Sequence, residues 1–163
     1  MANSNLIWRI DDRLIHGQVI IGWCSQLPIR LLVVCDDDIV TTEWEKNLLL
    51  MAAPPELPTF VLSTSETARR VQEWLTQDII VMILLKSPHV LKKLIDLQVP
   101  ISRVNVGGIH YQENRREYLS YLYLSEDEVK LFQSLIDLGI KFECQDLPNA
   151  PVLDLKKIIE KRK

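Results

Sequence analysis

Short apolar runs separated by stretches that carry helix-start signals constrain this chain more than any other feature. The runs fall at residues 6–10, 30–35, 59–63, 79–85, 102–106, 119–124 and 140–144. Each is short and rich in β-forming residues, so each reads as a strand. Between them lie the helix signals. Thr42 with Glu45 has capping-box spacing and Pro54-Pro55 ends that segment; Ser65 opens the next; Ser87 precedes Pro88 at a first helical position; Ser125 with Glu128 repeats the capping box. Residues 17–25 carry Val19, Ile20 and Trp23 at helical spacing, which places a further helix directly after the first strand. Strand and helix in alternation predict an α/β fold: a single domain with an open, mainly parallel twisted sheet of about seven strands and helices on both faces. The stretch between the fifth and sixth runs holds Gly107-Gly108 and many charges without helical period, which leaves room for an antiparallel edge strand.

Length and composition agree with one domain: 163 residues, 47% hydrophobic and 25% charged, bury a proper core, and neither internal repeat nor linker interrupts them. A net charge of -3 gives no electrostatic footprint for nucleic acid. The basic residues Lys156, Lys157, Lys161, Arg162 and Lys163 read instead as a C-terminal helix complementing its own dipole. Cys24, Cys35 and Cys144 are odd in number, widely spaced and set among apolar neighbours, the pattern of reduced, buried thiols in a cytoplasmic protein. The N-terminus has no leader-like succession, and the longest apolar run, residues 79–85, is far short of the roughly 20 residues a spanning helix needs. The expected location is cytoplasmic, with membrane association only through partners.

In an open parallel sheet, ligands bind outside the carboxyl ends of the strands. Residues 11–16, 36–38, 86–87 and 107–110 fall there. The first group is the densest in chemistry, since His16 sits where a strand gives way to a helix, among Arg9, Asp11, Asp12, Arg13, Gly17 and Gln18. Helix N-terminal N–H groups favour a phosphate at such a junction. A neutral imidazole nitrogen is a nucleophile that needs no dedicated base. Arg13 is placed to fork onto phosphoryl oxygens, with Arg9 more distant at the strand end. Either Asp11 or Asp12 is placed to accept the ring's other N–H and fix its tautomer. Residue types and spacing alone fit a second reading, a solvated ion-pair network in a loop.

The remaining candidates are less specific. The triplet Asp36–Asp38 suits a hard cation by chemistry, but three adjacent residues in one loop cannot all face one ion, so it reads as a solvated turn leading into a helix and no metal is expected. Gly107-Gly108 marks a tight turn or a close backbone approach. His110 is either a polar loop residue or, with Asn105, Gly107 and Gly108, part of the lining of the phosphoryl pocket. His89 reads as a surface residue. Neither a dinucleotide fingerprint nor a P-loop occurs, and no cofactor is implied.

Three segments together resemble one known family. Arg9-Ile10-Asp11-Asp12-Arg13-Leu14-Ile15-His16-Gly17-Gln18-Val19, with Trp8 where the family signature has valine, is similar to the signature of the IIB components of the mannose/fructose/sorbose family of the bacterial phosphoenolpyruvate-dependent sugar phosphotransferase system. Leu48-Leu49-Leu50-Met51-Ala52-Ala53-Pro54-Pro55 and Val104-Asn105-Val106-Gly107-Gly108 resemble two further segments of that family. The resemblance implies a mannose/sorbose-type IIB domain over residues 1–163. It implies a phosphohistidine at His16 with Arg13 as its catalytic arginine, a IIA protein as phosphoryl donor, membrane IIC and IID components, and a sugar acceptor. Residues 109–118 are more charged and aromatic than the family pattern, which keeps open a phosphorylatable regulatory or binding protein uncoupled from transport. Neither the sugar nor a homo-oligomer is specified by these residues.

Overall fold

The computed structural model of the chain describes residues 4–162, so the expectation for Lys163 lies outside the described residues. Strand β1 (Leu6–Ile10) is followed by a π-helix (Gln18–Cys24), β2 (Ile29–Cys35), a 3-10 turn (Ile39–Thr41), α1 (Glu43–Ala52), β3 (Thr59–Leu62), α2 (Thr64–Thr76), β4 (Ile80–Leu85), α3 (Pro88–Asp96) and β5 (Arg103–Val106). Strands β6 (Arg116–Leu119) and β7 (Leu122–Leu124) come next, then α4 (Glu126–Asp137), β8 (Lys141–Cys144), β9 (Leu153–Asp154) and α5 (Leu155–Lys161). The main sheet has seven strands in the order β3-β2-β4-β1-β5-β8-β9. All neighbours in it are parallel except β8 and β9.

The sheet is covered on both faces. Leu6, Trp8 and Ile10 of β1 join Leu31, Val33, Val81 and Ile83 in a core with Val71 and Trp74 of α2, Leu91 and Leu94 of α3, Phe132 and Leu135 of α4 and Ile159 of α5. The alternate residues, Leu32, Val34, Met82 and Leu84, pack with Val19 and Trp23 of the π-helix and with the partly buried Leu49 and Leu50 of α1. Arg9 shares this second side with Ile7, because side chains alternate along a strand.

Several sequence expectations are corrected. Residues 119–124 do not form a sheet strand: the chain turns at Ser120-Tyr121, so β6 and β7 make a separate antiparallel hairpin whose Leu122 and Leu124 point into the first core. The antiparallel edge strand is β9, beyond β8, in a proline-containing stretch with no period to announce it. Helix α2 starts two residues earlier than expected, with Ser63 accepting the Glu66 N–H at 3.1 Å. Thr42 occupies the N-cap position of α1 but donates its hydroxyl to the Asp38 carbonyl, 3.0 Å away, and makes no capping bond. Ser87 likewise makes no side-chain cap, although Pro88 opens α3. The Ser125–Glu128 capping box is formed on both sides. The helix after β1 is a π-helix, a widened form that recurs at functional sites.

Candidate functional site

Strand β1 lies between β4 and β5, and the loop leaving it is stitched to both. The Asp11 N–H donates to the Leu85 carbonyl at 3.0 Å, the Gly107 N–H to the Ile10 carbonyl at 2.7 Å, and the Asp12 N–H to the Gly108 carbonyl at 2.9 Å. The loop is therefore fixed at its base before any side chain is considered.

Beneath it lies a buried polar layer. Arg9, expected to reach toward phosphoryl oxygens, is wholly enclosed. Its guanidinium donates to the Gln145 carbonyl at 2.8 Å, to the Asp146 carbonyl at 3.2 Å, to the Asn105 side chain and to Asp11 Oδ2 at 3.3 Å, and it lies 4.6 Å from the Trp23 ring centroid. Burial pushes Arg9 below its ordinary pKa, and the neighbouring Asp11 carboxylate opposes that shift. This corrects the expected role: Arg9 binds protein groups and holds Asp11. Neither Gln145 nor Asp146 was marked by the sequence, because their contacts join positions more than a hundred residues apart, and Trp23 was read only as part of a helix face. The Trp23 indole N–H donates to the same Asp146 carbonyl at 2.9 Å, closing the layer on the π-helix side. Tyr121 adjoins this layer, where burial together with Cys144 and Asp146 pushes its phenol up to about 12 and keeps it neutral.

Asp11 links that layer to the loop above. Its Oδ2 accepts the Gly108 N–H at 3.2 Å and its Oδ1 the Arg13 N–H at 3.2 Å, while the Arg13 Nε lies 3.6 Å from Oδ1. Such a carboxylate is fixed by groups from three directions. Leu14 takes a left-handed backbone conformation, φ 58°, which costs a side chain about 1–2 kcal/mol. Its side chain is buried in the second core and its N–H donates to the Asp11 carbonyl at 3.0 Å, which offsets that strain.

The strained turn aims the Leu14 carbonyl at His16, whose Nδ1 lies 2.9 Å from it and donates to it. The other ring nitrogen, Nε2, is buried without a hydrogen-bond partner, 3.8 Å from Asp11 Oδ2. Between the two candidate aspartates the structure places Asp11 beside His16. Asp12 instead accepts the His110 backbone N–H at 2.8 Å and faces the His110 ring. Arg13 is 43% exposed and its Nη2 donates to Gln18 Oε1 at 3.0 Å. Gly17 has helical dihedral angles, and a Cβ there would meet nothing within 4 Å. Gly107 is different: a Cβ would stand 2.2 Å from Arg9 Nη2 and 2.7 Å from Asp11 Oδ2. Asn105, Gly107 and Gly108 thus belong to the supporting layer, and His110 to its outer rim.

The other strand-end groups serve elsewhere. Asp36 accepts the Asp38 and Ile39 N–H groups, and Asp37 binds Thr64 and Lys93. Asp36, expected in a solvated turn, is buried and ties the turn to itself, whereas Asp37 ties it to α2 and α3 and Asp38 is exposed. Lys86 and His89 are exposed. The three cysteines are free; Cys35 and Cys144 are buried and Cys24, expected buried, is half-buried. Among the described residues no helix is long and apolar enough to cross a membrane.

The chain and its fold are similar to known proteins. The family described as PTS system sorbose subfamily IIB component matches residues 5–163. The PTS system fructose-specific EIIB component of Bacillus subtilis (strain 168) is 33% identical over 151 residues, 93% of this chain and 93% of that protein. The PTS system sorbose-specific EIIB component of Klebsiella pneumoniae is 29% identical over 147 residues, 90% of each. The crystal structure of the IIBSor domain of the sorbose permease from Klebsiella pneumoniae superposes with a TM-score of 0.87 at 27% identity, over 97% of this chain and 98% of that one.

Proposed function

The chain belongs to the sorbose subfamily of IIB components of the sugar phosphotransferase system, and from that premise we propose that His16 carries a phosphoryl group from a IIA protein to a sugar during uptake through membrane IIC and IID subunits. The observation that carries this reading is the two-sided seat of the His16 ring, with the Leu14 carbonyl at Nδ1 and the Asp11 carboxylate near Nε2.

In the resting seat Nδ1 donates to the Leu14 carbonyl, and Nε2 is buried facing a carboxylate without a hydrogen bond to it. Neither nitrogen is then presented to a donor. Moving the proton to Nε2 lets Asp11 accept it; a shift of about 1 Å closes the gap to hydrogen-bond length and frees the Nδ1 lone pair. Nδ1 attacks the phosphorus of the phospho-IIA histidine in line, the donor P–N bond breaks with its electron pair returning to the donor ring, and a P–N bond forms at Nδ1. Positive charge developing on the His16 ring is balanced by Asp11, itself held by buried Arg9. In the second half-reaction a sugar hydroxyl attacks the same phosphorus, the P–N pair returns to Nδ1 and the hydroxyl proton departs. Arg13 turns its free N–H groups to the phosphoryl oxygens, and the open space around Gly17 admits the donor protein. Both half-reactions proceed without a cofactor, at the cytoplasmic side of the membrane.

Labelled phosphoenolpyruvate, the general phosphotransfer proteins and a family IIA protein test the reading. An acid-labile, alkali-stable label is expected on the chain, none on His16→Ala, and loading at least about tenfold slower for Arg13→Lys, which lacks the planar fork. Phosphorus NMR should place the group on Nδ1. A folded protein left unlabelled beside an active IIA control overturns the proposal.

A further inference from the structure

The phosphoryl loop holds a second histidine–carboxylate pair. Residues 109–118 are rich in charged and aromatic side chains, and the structure sets His110 against the loop after β1. The His110 backbone N–H donates to Asp12 Oδ2 at 2.8 Å while the His110 Nδ1 lies 2.5 Å from Asp12 Oδ1. A carboxylate held at Nδ1 fixes that nitrogen as the donor, so that in the neutral ring the lone pair is on Nε2. The ring is 48% exposed, so Nε2 is accessible to a group brought by another molecule.

The ring's position is fixed from both sides. The His110 carbonyl accepts from Arg115 Nη1 at 2.8 Å, and Arg115 makes a bidentate pair with Glu128, at 3.0 and 2.6 Å, the same residue that completes the α4 capping box. On the other side, the point where a Cβ would stand on Gly108 is 2.9 Å from His110 Cε1 and 3.5 Å from Arg13 Nη2. His110 and Arg13 therefore lie over the same face of Gly108. The charged groups that face the ring are Asp12, bonded to it, and Arg13 and Asp11 across Gly108, 3.5 and 3.6 Å from the same Cβ point, with Arg115 on its carbonyl.

We propose that His110 is the general base of the second half-reaction, with Asp12 as its positioning residue. This inference rests on the phosphocarrier reading above. As the acceptor hydroxyl attacks phosphorus, its proton passes to His110 Nε2, the P–N bond breaks with its pair returning to His16 Nδ1, and the protonated His110 later releases that proton to solvent. The first half-reaction has no hydroxyl proton to remove and does not use His110. A general base contributes about a hundredfold or more in rate.

The two half-reactions are measured separately on the full chain, on His110→Ala and on His110→Asn, which keeps an N–H donor for Asp12 but has no basic nitrogen. Loading from phospho-IIA is followed first. The phosphoprotein is then chased with water and glycerol, and with fructose, sorbose and mannose in everted vesicles bearing sorbose-subfamily IIC and IID subunits. Both variants are expected to load at the wild-type rate and to discharge about a hundredfold more slowly, and the pH dependence of wild-type discharge is expected to flatten in both. Equal discharge of wild type and variants to every acceptor overturns the inference, as does full recovery in His110→Asn, which assigns the pair to bracing alone. A wild-type chain that does not load removes the phosphocarrier reading and this inference with it.

Discussion

The demand for glycine at position 107 comes from the Arg9–Asp11 pair. Arg9 cannot withdraw from a new methyl group, because its guanidinium is enclosed and bonded to Gln145, Asp146 and Asn105 at once. Gly107→Ala therefore has to displace either the buried cation or the carboxylate that meets His16. It is expected to lower stability by about 1–3 kcal/mol, read as a urea midpoint, and to cut loading of His16 with it. Gly17→Ala is the matched control: its Cβ enters open space in the free chain, so the urea midpoint should stay within about 0.5 kcal/mol of wild type. A loss of loading in that variant would then report the approach of the donor protein. The place of His16 and Arg13 after β1 was legible in the strand-to-helix junction, but residue types and spacing fitted an ion-pair network equally well, and the phosphoryl reading of both rests on the family resemblance. Arg9 was not, since an arginine at a strand end reads the same whether it turns to solvent or into a protein layer whose acceptors are backbone carbonyls.

At the level of elements, continuous apolar runs were a reliable sign wherever both faces of a strand are covered, as in β1, β2 and β4. The hairpin β6–β7 escaped because it has one wet side and only seven strand residues, Arg116–Leu119 with Leu122–Leu124. The capping signal held at Ser125, failed at Thr42, where the Asp38 carbonyl takes the hydroxyl, and failed at Ser87, which makes no side-chain cap. That turn carries a pH-dependent tie. The Thr64 backbone N–H, opposed by desolvation and helped by the Thr64 hydroxyl and Lys93, holds the Asp37 carboxyl below the usual carboxylate range. In the unfolded chain the group titrates near about 3.9, so on acidification the unfolded state takes up its proton first. The stabilisation is complete above about pH 4 and is lost as pH falls through the lower folded value. Asp37→Asn should lower Tm at pH 7 by about 2 °C, a small effect because a third of the side chain faces water, and should reduce the fall of Tm below pH 4. Equal acid sensitivity in mutant and wild type, seen by calorimetry, would mean that Asp37 does not carry the pH dependence.

Across the whole molecule the site is assembled from elements far apart in sequence. β1 supplies the loop, β4 and β5 grip its base, and the segment after β8 supplies the carbonyls that hold Arg9. No subset of these strands forms the site, so it should persist or vanish with the central sheet. α1 stands in contrast: it has no fully buried residue, touches the second core through Leu49 and Leu50 only in part, and leaves Trp44, Leu48 and Met51 exposed. A helix held so lightly opens without unfolding the rest. Native-state hydrogen exchange should therefore show the Asp11, Asp12, Gly107 and Gly108 amides opening only with the free energy of global unfolding, with full dependence on denaturant. Amides in α1 should open at a free energy lower by at least about 2 kcal/mol and with little denaturant dependence. The opposite ranking, with the Gly107-Gly108 turn exchanging as fast as α1, would mean that the phosphoryl loop moves independently of the sheet, and that the His16 seat is one conformation of a mobile segment rather than a rigid part of the fold.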